Sequence, residues 1–370
     1  MNSTSKMSSR ERLLAAIEFE EIDHLPFWPK FYGNSYPPSQ QAPFNTMDKY
    51  EIYRWIGCDI IEWVPMGGCV SQVKKDVDLE IKMIEEEMEI TFITSAGSTK
   101  LQMAYDAPSQ SWHPIIHPIK TLEDIKIMTD FFNGLRYEFS AKNLEKTQEV
   151  IDIVGDDGIT MEAVGESPLM AFVEYGAGIA QAPLILMDHE EAMDELFDAM
   201  QRMYLQKLEV TVEHSAADVL IFVENTSTTM ISPTQYRRYC VPHFEQYAEI
   251  IKGAGKPFTV HMCGHLKALL GDLDAGPVDI VEAFTSPTIG NTSLLDGREA
   301  CPDICLMGGT NATLWMQSPD EIIEQIDKDL AELPHHRGLV LSSAGVMTPL
   351  CTPETLKTVN QWIDDYEPRL

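Results

Sequence analysis

Residues 218–263, DVLIFVENTSTTMISPTQYRRYCVPHFEQYAEIIKGAGKPFTVHMC, contain a complete strand–helix–strand unit. The runs DVLIFVE (218–224) and PFTVHMC (257–263) are short, apolar and rich in β-branched or aromatic residues, while the segment between them has helical length and spaced apolar positions. The same alternation extends in both directions. HLPFWP (24–29), CDIIEWVP (58–65) and GITMEAV (158–164) precede it, and DIVEAF (279–284), ICLMGG (304–309) and GLVLSSA (338–344) follow. Helix-length segments lie between most of these runs. Ser318-Pro319-Asp320-Glu321 and Thr352-Pro353-Glu354 each place a capping hydroxyl, a proline and an acid where a helix should start. Eight strands alternating with helices predict an α/β protein of the (β/α)8 TIM barrel type. An open doubly wound sheet is disfavoured, because no Gly-rich phosphate turn follows the first strand.

Residues 70–118 break the alternation and read as hairpins, with Gly97 near one turn. They are expected to form a β-hairpin insertion after strand two, lying over a barrel face. No repeat or low-complexity linker divides the chain, so residues 1–370 are expected to build one elaborated domain.

Composition narrows the function. The chain is 44% apolar and 23% charged, an ordinary globular balance. Its 27 Lys and Arg against 58 Asp and Glu give a formal charge of −31. Such a surface repels nucleic acid and anionic lipid, and no local basic cluster offsets it for a polyanionic substrate. No apolar run is long enough to span a bilayer, and residues 1–21 lack the apolar core of a secretory leader. The cysteines at 58, 69, 240, 263, 301, 305 and 351 form an odd, scattered set, which suits reduced thiols in the cytoplasm.

In a barrel, functional groups collect at the carboxyl ends of the strands. Strand four ends in Glu224-Asn225, strand five in His261-Met262-Cys263-Gly264-His265, and strand eight in Ser342-Ser343-Ala344-Gly345, with Cys351 a few residues on. His261 and Cys263 are two apart, so both side chains leave the same strand face. An imidazole beside a thiolate is half of a zinc site, and Glu224 on the adjoining strand is a candidate oxygen ligand. A core histidine and a filler thiol is the competing reading. Trp28, Phe31 and Tyr32 above strand one, with Trp63 and Met66 above strand two, are candidates for a ring-lined substrate pocket, with core packing as the alternative. Cys301 and Cys305 read as core, and His335-His336 as a solvent-facing turn.

Several segments together resemble the uroporphyrinogen decarboxylase superfamily over nearly the whole length. These are SSRERLLAAIEFEEIDHLPFWP (8–29), ISPTQYRRYCVPHFEQYAEIIKGAGKPFTVHMCGHLKALLGDL (231–273), ICLMGGTNATLWMQSPDEIIEQI (304–326) and LVLSSAGVMTPLCTPETLKTVNQWI (339–363). The H-x-C-G at 261–264 is similar to the branch of cobamide-dependent methyltransferases. The true decarboxylases carry an R-Q-A-G-R stretch after the first strand, where this chain has Lys30-Phe31-Tyr32-Gly33-Asn34-Ser35. That difference and the net charge oppose a porphyrinogen substrate, whose carboxylates need cations to offset desolvation.

The resemblance implies a catalytic zinc held by His261, Cys263 and a later cysteine. The family position of that cysteine reads Ser343-Ala344-Gly345-Val346 here, so the third ligand is expected to be Glu224 first and Cys351 second. Replacing a thiolate by a carboxylate leaves more positive charge on the metal, which suits activation of an ether oxygen. The expected activity is therefore transfer of a methyl group from a methoxylated, preferably aromatic donor to cob(I)alamin. Asn225, Ser342 and Ser343 are candidate hydrogen-bond donors to the leaving oxygen. No D-x-H-x-x-G segment is present to ligate cobalamin, so the corrinoid is expected on a partner protein. Competing readings are a methylcobamide-to-thiol transferase of the coenzyme M type, a decarboxylase-like lyase, and a non-catalytic corrinoid or tetrapyrrole binder.

Overall fold

The computed structural model describes residues 6–31, 33–106 and 111–370. Its centre is a parallel sheet of eight strands: β1 (Phe27–Trp28), β2 (Ile60–Trp63), β3 (Gly158–Gly165), β4 (Val219–Val223), β5 (Phe258–His261), β6 (Ile280–Phe284), β7 (Cys305–Gly309) and β8 (Leu339–Ser342). Each neighbours the next in the order β1-β8-β7-β6-β5-β4-β3-β2, so all eight predicted strands form and follow the chain around a TIM barrel. The first and last strands of that order meet at Asp59. Its N–H donates to Phe27 O (3.0 Å), and its carboxylate accepts from Phe27 N (2.8 Å) and from Arg12 Nη1 (2.6 Å). Arg12 also donates from Nε to the half-buried Asp23 (2.7 Å), so a three-residue ionic cluster ties the entry helix to this seam.

Helices pack outside the strands. The outward residues of β4 and β5 show how: Phe222 stacks on Tyr247 and meets Phe258 edge-on, and Phe258 meets Phe244. Ser318 caps the helix Pro319–Glu332 with a reciprocal bond from Glu321, and Thr352 caps the helix Pro353–Asp364. Cys301 and Cys305 are buried among apolar residues.

Between β2 and β3 the chain leaves the barrel. Asp78–Ile84, Glu87–Thr94, Gly97–Asp106 and Ser111–Ile116 form a four-stranded antiparallel sheet, and Val70–Lys74 pairs with Leu135–Phe139. The expectation that His335-His336 faces solvent needs correcting for His336. Its ring is buried, bonds Leu330 O through Nε2 (3.1 Å), and accepts the Arg369 N–H at Nδ1 (2.8 Å), which fastens the C-terminal segment. Helix capping leaves carbonyls such as Leu330 O in need of donors, and a turn histidine can supply one.

Candidate active site

The carboxyl ends of β1, β4, β5 and β6 bring a set of charged side chains into the barrel mouth. On β5, Thr259, His261 and Cys263 alternate with the outward Phe258, Val260 and Met262, so the imidazole and the thiol share the inner face as the two-residue spacing requires. Register sets the neighbour: His261 lies opposite Glu282 on β6. The ring Nδ1–H donates to Glu282 Oε2, and Lys30, arriving from the end of β1, donates from Nζ to Glu282 Oε1 (2.8 Å). One fully buried carboxylate therefore serves two cations. The Lys30 ammonium also lies 5.5 and 5.4 Å from the ring centroids of Trp28 and Trp63.

Burial alone would suppress a charge on His261. The charge of Glu282 and the bonds the ring donates to Glu282 and Cys263 together outweigh that effect and the repulsion from Lys30, and push the imidazole up to about 9. Burial likewise acts to raise Glu282, but Lys30 and His261 together hold it down at about 2. With Nδ1 committed to a carboxylate, Nε2 is the atom left to face the mouth. This is the arrangement that fixes the orientation of a metal-binding histidine.

Asn225 follows β4 with a positive φ of 46° and turns its amide into the site. Its Oδ1 accepts from the Cys263 thiol (3.8 Å) and its Nδ2 donates to Glu174 Oε2 (3.0 Å). Glu174 stands on a wide π-type turn, Phe172–Gly176, of a kind that recurs at functional sites. Burial raises this carboxyl to about 7, against the pull of the Asn225 bond and the His261 charge, and its buried Oε1 has no partner among the described residues. The buried Trp63 indole N–H likewise has no partner among the described residues.

Other expected site residues are placed elsewhere. Glu224 reaches the mouth in sequence but not in direction, because the register pairs Val223 with His261 and sends Glu224 to the opposite face. There its carboxylate accepts from the Ser167 N–H and hydroxyl (2.7 Å for the latter), and burial raises it to about 8. Cys351 is buried under Tyr36, whose hydroxyl bonds the cysteine carbonyl (2.6 Å), and burial pushes its thiol up to about 12. Ser342 Oγ accepts from Ala344 N (3.0 Å), while Ser343 Oγ accepts from Lys30 N (3.1 Å) and donates to Gly345 O (2.6 Å). Both hydroxyls shape the loop after β8.

The expected ring-lined pocket also resolves differently. Phe31 is stacked between Tyr36 and Tyr53 at centroid distances of 4.1 and 4.5 Å, Trp28 is buried, and Met66 stands in solvent. Tyr32 lies outside the described residues. Among the described residues, no three His, Cys, Asp or Glu side chains converge closely enough to hold a metal ion. Imidazole and thiolate donors suit zinc, so His261 and Cys263 fit half of a coordination shell. Glu224 and Cys351, expected to complete it, do not.

Sequence reasoning missed Lys30, Glu174 and Glu282. A signal existed for one of them, since Glu282 is an acid in the middle of the buried run DIVEAF, where an unpaired charge would be costly.

The family model described as uroporphyrinogen decarboxylase (URO-D) matches residues 81–366. A protein of Myxococcus xanthus (strain DK1622) named uroporphyrinogen decarboxylase is 24% identical over 228 residues, 59% of this chain; the match spans 61% of that protein, under two thirds of its length. Among solved structures, a methyltransferase from Methanosarcina mazei superposes with a TM-score of 0.60 at 14% identity, covering 97% of this chain and 99% of that one. At that identity the superposition establishes a shared fold.

Proposed function

The chain belongs to the uroporphyrinogen decarboxylase family, and from that premise we propose that it is a zinc-dependent, corrinoid-linked methyltransferase. It moves a methyl group from a methoxylated aromatic donor to the cob(I)alamin of a partner corrinoid protein. The observation that carries this reading is the His261–Cys263 pair at the barrel mouth, with the imidazole held by Glu282. The solved methyltransferase that shares the fold across its full length supports it. A porphyrinogen substrate is disfavoured, because the cation beside His261, Lys30, is already neutralised by Glu282 and offers little to a polycarboxylate.

His261 and Cys263 would hold the zinc, which supplies Lewis acidity toward the leaving ether oxygen when bound. The remaining work falls to the chain's own groups. Glu282 keeps the His261 ring oriented, and Lys30 keeps Glu282 ionised. Asn225 positions the Cys263 thiol on one side and Glu174 on the other. Glu174, raised to about 7, holds a proton near neutral pH that an oxygen leaving group needs. Segments after β2, β3, β6 and β8 expose Met66, Met187, Ile289 and Leu350, apolar surface on the mouth side that suits a transient protein partner.

Metal analysis and spectroscopy test the reading. The purified chain is expected to carry one zinc that a His261→Ala, Cys263→Ser double variant loses. With zinc, a methoxyarene should convert cob(I)alamin to methylcob(III)alamin. Conversion of methylcob(III)alamin only in the presence of a thiol would instead select the thiol-transfer reaction, and a wild-type chain without zinc would refute the proposal.

A further inference from the structure

We propose that an apolar cavity between the inserted sheet and the turn after β3 binds a single-ring aromatic molecule carrying one hydroxyl group, with Glu166 as its polar anchor. The cavity measures about 260 Å³. An apolar cavity of ~150 Å³ holds benzene, so this one has room for a substituted ring. Its walls come from several separate parts of the chain. Phe92 and Leu101 belong to the inserted sheet, Phe131 to the helix Leu122–Asn133, Phe172 to the turn that carries Glu174, and Met203 to the helix Glu190–His214. Phe92 and Phe131 meet edge-to-face at 4.9 Å, an arrangement that a third ring can extend.

Glu166 is the residue that makes this more than a packing gap. It opens the turn after β3 and its side chain lines the cavity. Among the described residues it makes no hydrogen bond or ion pair. A carboxyl that lines an apolar cavity with no partner of its own is poorly satisfied until a ligand bonds it. Burial, reinforced by the nearby Glu174 and Glu224 carboxylates and opposed by Lys207, pushes it up and favours its neutral form. A neutral carboxyl donates one hydrogen bond and accepts another, the pairing a phenolic hydroxyl offers in return. An anionic ligand would meet three acids, Glu166, Glu174 and Glu224, against the single nearby cation Lys207 among the described residues, and is disfavoured.

The cavity is separate from the mouth, since His261, Cys263, Asn225 and Glu174 are not among its lining residues, and binding there does not rest on the methyl-transfer reading. The turn 166–176 joins the two places, since Glu166 stands at the cavity and Glu174 beside Asn225 and Cys263.

The probe is 4-bromophenol, titrated calorimetrically into the metal-free full chain and soaked into its crystals. One molecule should bind, with the anomalous bromine peak inside the cavity, and bromobenzene should bind at least tenfold more weakly. Glu166→Leu should abolish that preference, and Leu101→Trp, which fills the space, should weaken 4-bromophenol at least tenfold. Met203→Phe is the substitute if Leu101→Trp fails to fold by circular dichroism. No binding to the wild-type chain, bromine located outside the cavity, or a preference for the phenol that survives in Glu166→Leu would each overturn the proposal. Because no metal or corrinoid takes part, failure of methyl transfer leaves this result untouched, and the converse also holds.

Discussion

Replacing Glu282 by Gln removes the negative charge between Lys30 and His261 while keeping its volume. The rise of His261 from 6.5 to about 9 corresponds to about 3 kcal/mol at roughly 1.4 kcal/mol per tenfold change in proton affinity. The fall of Glu282 from 4.5 to about 2 describes the same contacts from the other side and is not added. Breaking one partner out of a buried pair costs about 3–5 kcal/mol, in the same range. In the metal-stripped wild type, the His261 contribution is fully present below pH 6.5 and is lost as pH rises through about 9. The Glu282 contribution is present above 4.5 and is lost as pH falls through about 2. In Glu282→Gln, burial and Lys30 both act against a charged ring, so His261 should titrate below 6.5. Urea unfolding at pH 7 should show the variant destabilised by about 3 kcal/mol, with the loss of stability between pH 6.5 and 9 gone. Carbon-13 histidine spectra would follow the ring directly. A variant within about 1 kcal/mol of wild type, or one whose His261 stays charged at pH 8, would refute the account of Glu282 as the group that fixes the ring.

Glu174→Gln removes a carboxyl whose raised pKa favours the protonated folded state. The penalty of ionising it builds between pH 4.5 and about 7, so the variant should melt higher than wild type at pH 8 and equally at pH 4 in calorimetry. Arg12→Met leaves the buried Asp59 and the half-buried Asp23 without their shared cation and loosens the β1–β2 seam; denaturant unfolding should record a loss of about 3–5 kcal/mol. Gly158→Ala would bring a Cβ to 1.8 Å from Ile60 O in the adjacent strand, a backbone clash that cannot relax cheaply. A loss of about 3 kcal/mol or more, read as a lower melting temperature, is expected.

The His–Cys pair was legible because a strand repeats every two residues, a rule that holds without knowing the neighbours. Glu224 misled for the related reason that its direction depends on how β4 pairs with β5. One position of register separates Val223, which faces His261, from Glu224, which faces Ser167 and the helices. Phe31 misled because composition cannot tell a ring that lines a pocket from one that fills a core. Phe31 stacks on two tyrosines from later segments, and only their arrival consumes it.

Read without its partners, the chain already specified eight buried strands, their alternation with helices, and the two inward atoms on β5, because these depend on local periodicity and on hydrophobic runs long enough to bury. The bond from His261 to Glu282, the approach of Lys30 from a residue 252 positions away in sequence, and the meeting of Asn225, Cys263 and Glu174 belong to the folded molecule alone. Charges and hydrogen bonds act over a few ångströms whatever their distance along the chain, so only closure of the barrel could decide which of many acids and cations would face one another.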